Sequence, residues 1–106
     1  MSAFAAAVAA LFRDRNMAHD ALWRAGGVFE PTPVRVIPRA PDEDVRWGEA
    51  RARVPTQVFQ LRISEVPELA DGDTLEVEGV FWRIKGQPQR DAPRLVWTAE
   101  AVELRP

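Results

Sequence analysis

The chain has 106 residues, a formal net charge of -2, 46% hydrophobic and 28% charged residues, and no cysteine. This length suits one folded domain with a single modest core, which we assign to residues 1–106. The near-neutral charge gives no field that would attract nucleic acid or an anionic membrane, and the lack of cysteine excludes disulfides and thiolate metal sites. We therefore expect packing to stabilise the fold.

The N-terminal segment predicts one peripheral helix over residues 2–17, with Ser2 as a suitable N-cap. Apolar residues recur at helical spacing on one stripe: Phe4, Val8, Leu11 and Phe12. The other face is mostly alanine, and two explanations for it stay open. Either Ala6 and Ala10 allow a second subunit to pack closely, or alanine is present for its high helix propensity.

The apolar run from Ala3 to Phe12 is too short to cross a membrane, since a span needs roughly 20 apolar residues. No basic residue precedes this run and charged residues follow it at once, which is not typical of a signal peptide. We expect a cytoplasmic protein without a membrane segment.

From residue 20 to residue 105 the hydrophobic period changes to two, which predicts a β-domain. Strands are expected at residues 20–24, 34–37, 58–64, 74–77, 80–84 and 94–104. Prolines at 31, 33, 38 and 41 indicate that the first strands are edges or that the prolines lie at strand ends. The predicted core comprises Phe59, Leu61, Ile63, Leu75, Val77, Trp82, Ile84 and Trp97. The pattern favours a mainly β fold, a small antiparallel barrel or sandwich with the N-terminal helix beside it.

The connections between these strands are of three kinds. Residues 71–73 and the pair Glu78-Gly79 predict tight turns, because their glycines can adopt positive φ. Residues 66–69 read as a short crossing segment with about one helical turn, and residues 86–93 as a loop. These turns make residues 72–86 one complete hairpin.

The longest connection, loop 40–54, is polar and carries an isolated Trp47. The charged residues that we take as candidate partner contacts are Asp42, Glu43, Asp44, Arg46, Arg51 and Arg53. Long loops on a rigid scaffold often carry binding residues, and an aromatic flanked by arginines is typical of an interface hot spot. We predict the partner contact here, the alternative being a solvated loop without a function.

No motif in the sequence predicts catalysis, a metal site or a cofactor. His19 is the single histidine, and we interpret it as a surface or helix-terminal residue. Asp71 and Asp73 faintly resemble a calcium loop but lack its remaining ligands, so we assign them to a turn. Phosphate loops, dinucleotide fingerprints and serine elbows are absent, and we predict that the protein is not an enzyme.

Four tryptophans accompany the arginines, a combination that small barrels also use to bind single-stranded nucleic acid. The alternation of their strands turns Trp82 and Trp97 inward, so we assign both to the core and not to a stacking platform. Acidic residues are interspersed with the arginines, which argues against a contiguous basic face. A small nucleic-acid-binding barrel is the alternative function.

Three segments resemble, in the same order, the head-to-tail joining (head completion) proteins of lambda-like tailed phages and prophages. These segments are Phe59–Val66, Gly72–Leu75 and Gly79–Ile84. The likeness covers about residues 34–39 and 57–99, together with the chain length and the N-terminal helix. Loop 40–54 does not match the family in detail.

The resemblance implies a β-barrel-like structural protein that forms a ring under the portal of a DNA-filled head and gives the tail its attachment surface. Its partners would be connector or portal-side proteins and tail proteins. DNA would pass through the ring without specific binding, as the near-neutral charge permits. We expect the free protein to be monomeric or weakly associated, assembled in the bacterial host cytoplasm and located in the virion neck.

Overall fold

The computed structural model describes residues 3–39 and 56–104. Within them the elements are α1 (Ala3–Arg13), β1 (His19–Arg24), a 3₁₀ turn (Ala25–Gly27), β2 (Thr32–Arg39), β3 (Thr56–Arg62), β4 (Thr74–Val77), β5 (Val80–Arg90) and β6 (Val96–Glu103). The described strands close into an antiparallel barrel in the order β1-β2-β3-β6-β5-β4, with β4 pairing back onto β1. The mainly β fold with an N-terminal helix is confirmed, and of the two predicted architectures the structure is the barrel.

Inward-facing side chains of the strands fill the barrel, as the period-two alternation predicts. Every residue predicted for the core lies in it: Phe59, Leu61, Leu75, Val77, Ile84 and Trp97 are buried, and Ile63 and Trp82 are partly buried against them. The rings of Phe59 and Trp82 meet edge to face, with centroids 5.5 Å apart and planes at 73°. Such an edge-to-face contact adds to the stabilisation that burial provides.

The β4–β5 hairpin forms as predicted. Glu78 and Gly79 both have positive φ, 51° and 83°, the backbone of a turn that matches the twist of the strands. Leu75 on β4 pairs with Trp82 on β5. Beyond the hairpin, β5 continues to Arg90 through a register shift, and the pairing with β6 resumes on the other side of it. Most of the loop predicted at residues 86–93 is therefore strand.

The prolines of β2 occupy its ends: Pro33 is the second residue of the strand and Pro38 the last but one. Because β2 pairs with β1 on one side and with β3 on the other, the strand is not an edge. The strand-end interpretation is confirmed and the edge interpretation is wrong. Proline is tolerated at these positions because few ladder donors are lost near a strand terminus.

Helix α1 ends at Arg13, earlier than the predicted Met17. Asp14 ends it locally, because its carboxylate accepts the backbone N–H of Asn16 at 2.8 Å and so offers the chain a turn in place of a further helical bond. The helix meets the outer wall of the barrel through one buried side chain, Phe12. The cluster around this ring comprises Ala18, Ile37 and Val96, with Val8 and Leu95 at its margin.

Candidate protein-interaction surfaces

The loop predicted to contact partners lies outside the described residues. The candidate contact residues of this loop therefore also lie outside the described ranges: Asp42, Glu43, Asp44, Arg46, Trp47, Arg51 and Arg53. The strands that flank the loop are described: Arg39 pairs with Val58 across the β2–β3 ladder. The side-chain amide of Gln57 donates to the carbonyl oxygen of Arg39, and the Arg39 guanidinium donates to Gln60 at 3.3 Å. The described strands on either side of residues 40–55 are thus adjacent in the sheet and joined by side-chain hydrogen bonds.

The alanine face of α1 is exposed to solvent, including the two candidate contact residues Ala6 and Ala10. The stripe expected to face the core is only partly covered. Phe4 is 67% exposed and Leu11 44% exposed, although both belong to the same stripe as buried Phe12. Part of the apolar stripe of the helix is therefore left exposed to solvent.

Arg35 fixes the C-terminal end of α1 to the barrel. Its Nε donates to the carbonyl oxygen of Phe12 at 2.9 Å, and its Nη2 donates to that of Ala18 at 3.2 Å. Its Nη1 pairs with Asp20 at 2.8 Å. The Arg62 guanidinium lies 5.9 Å from the centroid of the Phe12 ring, within the range of a cation–π contact. Cations at a helix C-terminus also suit the helix dipole.

Asp73 joins two segments that are distant in sequence, residues 23–26 and residues 70–73. Its buried carboxylate accepts the Trp23 Nε1–H at 3.0 Å, the Gly26 N–H at 2.8 Å and the Ala70 N–H at 3.0 Å. A buried carboxylate needs such donors, because burial removes the water that would otherwise solvate its charge. Asp73 therefore fixes the connection between β1 and β2 to the turn before β4.

The β1–β2 tip, residues 25–31, carries two large apolar side chains into solvent. Val28 is 78% exposed and Phe29 67% exposed. The base of the tip is tightly packed, since a Cβ added to Gly27 would approach the Thr74 methyl group to 3.1 Å, and Gly27 has a φ of 77°. A rigid base below an apolar end is a suitable arrangement for contacting another protein.

A groove of about 270 Å³ lies on the outer wall where β1 meets β4. Its lining residues are Asp20, Ala21, Leu22, Pro33, Val34, Glu76, Glu78 and Gly79. The three carboxylates each have one basic partner: Asp20 pairs with Arg35 at 2.8 Å, Glu76 with Arg24 at 3.6 Å and Glu78 with His19 at 3.1 Å. The groove thus has an apolar floor and an acidic rim.

The tryptophans in the described ranges pack in or against the barrel core. Trp97 is buried, donates from Nε1 to the carbonyl oxygen of Val66 at 2.6 Å and carries the Arg90 guanidinium 4.8 Å from its ring centroid. Trp82 and Trp23 are half-buried and pack against the same core. The inward assignment of Trp82 and Trp97 is confirmed, so neither forms a stacking platform for bases.

In residues 3–39 and 56–104, no group of three or more His, Asp or Glu residues could hold a metal ion. Asp71 accepts the backbone N–H of Gly86 at 2.7 Å and so shapes a turn, as predicted. His19 lies at the start of β1 and is not a helix-terminal residue. No helix in the described part of the chain is long and apolar enough to cross a membrane.

Sequence reasoning did not single out the β1–β2 tip, the groove or the role of Asp73. A signal for the tip was present, because Val28-Phe29 places two large apolar residues between a Gly-Gly turn and Pro31. The groove and the Asp73 contacts join residues that are far apart in sequence, so they required the barrel register.

The described residues form a small β-barrel whose exposed apolar groups suit contacts with other proteins. The sequence matches the family model described as Phage Head-Tail Attachment protein over residues 1–101. The chain therefore belongs to the phage head-tail attachment protein family, as its resemblance to head-to-tail joining proteins predicted, and membership implies a role in attaching phage heads to tails. Comparison with curated proteins and with solved structures gave no match.

Proposed function

We propose that this protein is a non-enzymatic component of the virion neck that forms a ring between the connector of the DNA-filled head and the tail. The observation that carries the proposal is the family match over residues 1–101, nearly the whole chain. The closed barrel supports it, because a closed sheet has no open edge and can hold several loops in fixed positions. We place its assembly in the host cytoplasm.

The ring would allow DNA to pass without holding it. Tight binding to duplex DNA requires many basic contacts to phosphates, and this chain has a net charge of -2. In the described core, Trp82 and Trp97 are used for packing and not as a stacking platform, which argues against a nucleic-acid-binding barrel. We expect no shift of duplex or single-stranded DNA in a gel at moderate salt, and a clear shift would favour the alternative function.

Loop 40–54 is the contact that we propose for the connector or the tail. It is the longest connection that the sequence predicts, and the described strands on either side are held together by Gln57 and Arg39. In this arrangement Trp47 would bury against the partner, while Arg46, Arg51 and Arg53 would pair with its carboxylates.

A paired substitution tests this contact. Trp47→Ala with Arg51→Ala should leave the melting temperature nearly unchanged and abolish the joining of heads to tails in a reconstitution assay, because a buried aromatic anchor contributes on the order of 2 kcal/mol or more. The matched control is Lys85→Ala with Gln87→Ala, two exposed residues of β5, which should join particles normally. Normal joining by the loop variant would place the contact elsewhere.

The oligomeric state has a separate test. One small domain offers limited area to each neighbour, so the free protein should sediment as a monomer or a weak, concentration-dependent oligomer at micromolar concentration. A stable ring of the free protein would show that assembly does not depend on the partner.

A further inference from the structure

We propose that the groove between β1 and β4 receives helix α1 of a second copy of this chain, in a head-to-tail contact between neighbouring subunits. This inference rests on the proposed ring and identifies the surfaces that would build it. Two surfaces carry it: an apolar groove with an acidic rim, and an apolar helix stripe with a basic end.

The groove is small, with a volume of about 270 Å³, and its floor is apolar. Leu22 and Pro33, which are paired across β1 and β2, supply apolar floor on the outer wall. Phe81 is a further exposed apolar residue on this wall, on the other side of Glu76, and is 41% exposed.

The rim carboxylates can accept further donors. The Asp20 side chain is 92% exposed and the Glu78 side chain 71% exposed, although each already has one basic partner. A carboxylate has about four acceptor positions, so one ion pair leaves most of them open to solvent. The rim therefore suits a positively charged group on an incoming chain.

Helix α1 has the complementary chemistry. Phe4 and Leu11 lie two turns apart on one stripe and are both exposed. Arg13 ends the helix and Arg15 follows it, and both are exposed. Neither arginine forms an ion pair within the described residues. Arg13 is two residues from Leu11 and so projects from the opposite side of the helix. The helix thus offers an apolar stripe that ends in one cation, Arg15.

The order of charged and apolar positions along the chain also matches between the two surfaces. On β1, Asp20 precedes Leu22 by two residues, about 7 Å along the strand, so acidic and apolar positions follow each other on the outer wall. On the helix, Arg15 follows Leu11 by four residues, about one turn, just past the helix end. Placing Leu11 over Leu22 brings Arg15 towards Asp20 and Glu78, the helix-in-groove mode of recognition.

A helix from the same chain does not fill the groove. Phe12 and the hydrogen bonds of Arg35 hold α1 against Ile37 and Val96, which belong to β2 and β6. The groove lies on another part of the wall, at the β1–β4 seam. A contact that joins two different surfaces is heterologous, and such contacts generate closed rings when the rotation between subunits closes.

The small size of both surfaces explains why the free protein should associate weakly. Stable interfaces bury about 1,200–2,000 Å² in total, far more than one helix stripe and one groove can supply. A ring assembled on a partner does not need a strong pair contact, because each subunit is also held by that partner.

Cysteine cross-linking provides a direct test, because the chain contains no cysteine of its own. Leu11→Cys with Leu22→Cys, oxidised in joined particles, should give a ladder of multimers on a non-reducing gel. A mixture of the two single variants should give dimers only. The matched control, Leu11→Cys with Thr98→Cys on the outer wall of β6, should remain monomeric. Joined particles without a ladder, an intrachain disulfide, or an equal ladder in the control would overturn the proposal.

Charge reversal tests the ionic part. Glu78→Arg or Arg15→Glu alone should lower the cross-linked yield at least about tenfold, since like charges meet at the rim. A mixture of the two variants should restore cross-linking between unlike subunits, because opposite charges then meet at each contact. A cross-linked yield that is unaffected by these substitutions would contradict the docking. Failure of the unmodified protein to join heads to tails would instead overturn the proposed function, so the two failures are distinguishable.

Discussion

The β4–β5 hairpin and helix α1 both carry a regular apolar pattern, yet they bury very different shares of it. In the hairpin, Leu75 and Ile84 are completely buried, and Trp82 packs against the same core. In the helix, Phe12 is buried while Phe4 and Leu11 remain exposed. The inward apolar side chains of the hairpin are buried within the chain, whereas Phe4 and Leu11 of the helix stripe are not.

The difference follows from the topology. A closed barrel encloses its interior completely, so every inward position along a strand contacts the core. A helix outside the barrel meets a convex wall and buries only the part of its stripe that lies against it. Periodicity therefore predicts burial correctly for the strands, and for the helix it predicts an apolar stripe without saying which molecule covers it.

The largest effect should come from the barrel interior. Trp97→Ala removes a buried ring and its hydrogen bond to the Val66 carbonyl oxygen, and we expect a loss of about 3–5 kcal/mol in the free energy of unfolding. Urea denaturation measures it. The neighbouring Thr98→Ala, at an exposed position, should stay within about 0.5 kcal/mol. A loss below about 1 kcal/mol for Trp97→Ala would contradict its place in the core.

A smaller effect is expected at Asp73, which lies between barrel and tip. Asp73→Ala leaves three N–H donors without their acceptor and should cost about 2–3 kcal/mol. It should also speed cleavage by chymotrypsin after Phe29, because the base of the tip loses its anchor. Asp71→Ala is the matched control, since that exposed carboxylate accepts a single described N–H, from Gly86. Equal losses for the two variants would show that Asp73 has no special role.

These residues show which parts of the structure could be predicted from the sequence alone. The hairpin turn at Glu78-Gly79 and the core position of Trp97 were predictable, because alternation and glycine placement are local signals. The role of Asp73 was not, since its donors Trp23 and Gly26 are 50 and 47 residues away along the chain. The groove depends likewise on the β1–β4 pairing that closes the barrel. Loop 40–54 stays a prediction, because its residues lie outside the described ranges.

The smallest effect on stability should come from the exposed part of the helix stripe. Phe4→Ala and Leu11→Ala together remove side chains that are 67% and 44% exposed, so the free energy of unfolding should change by less than about 1 kcal/mol per site. Joining of heads to tails should nevertheless fall, because we assign this stripe to a neighbouring subunit. Phe12→Ala is the matched comparison on the same helix: it should lower the melting temperature clearly, since its ring is buried. A double variant that lowers the melting temperature as much as Phe12→Ala would show that the stripe belongs to the fold of one chain, and one that joins particles at the normal rate would show that no neighbour uses it.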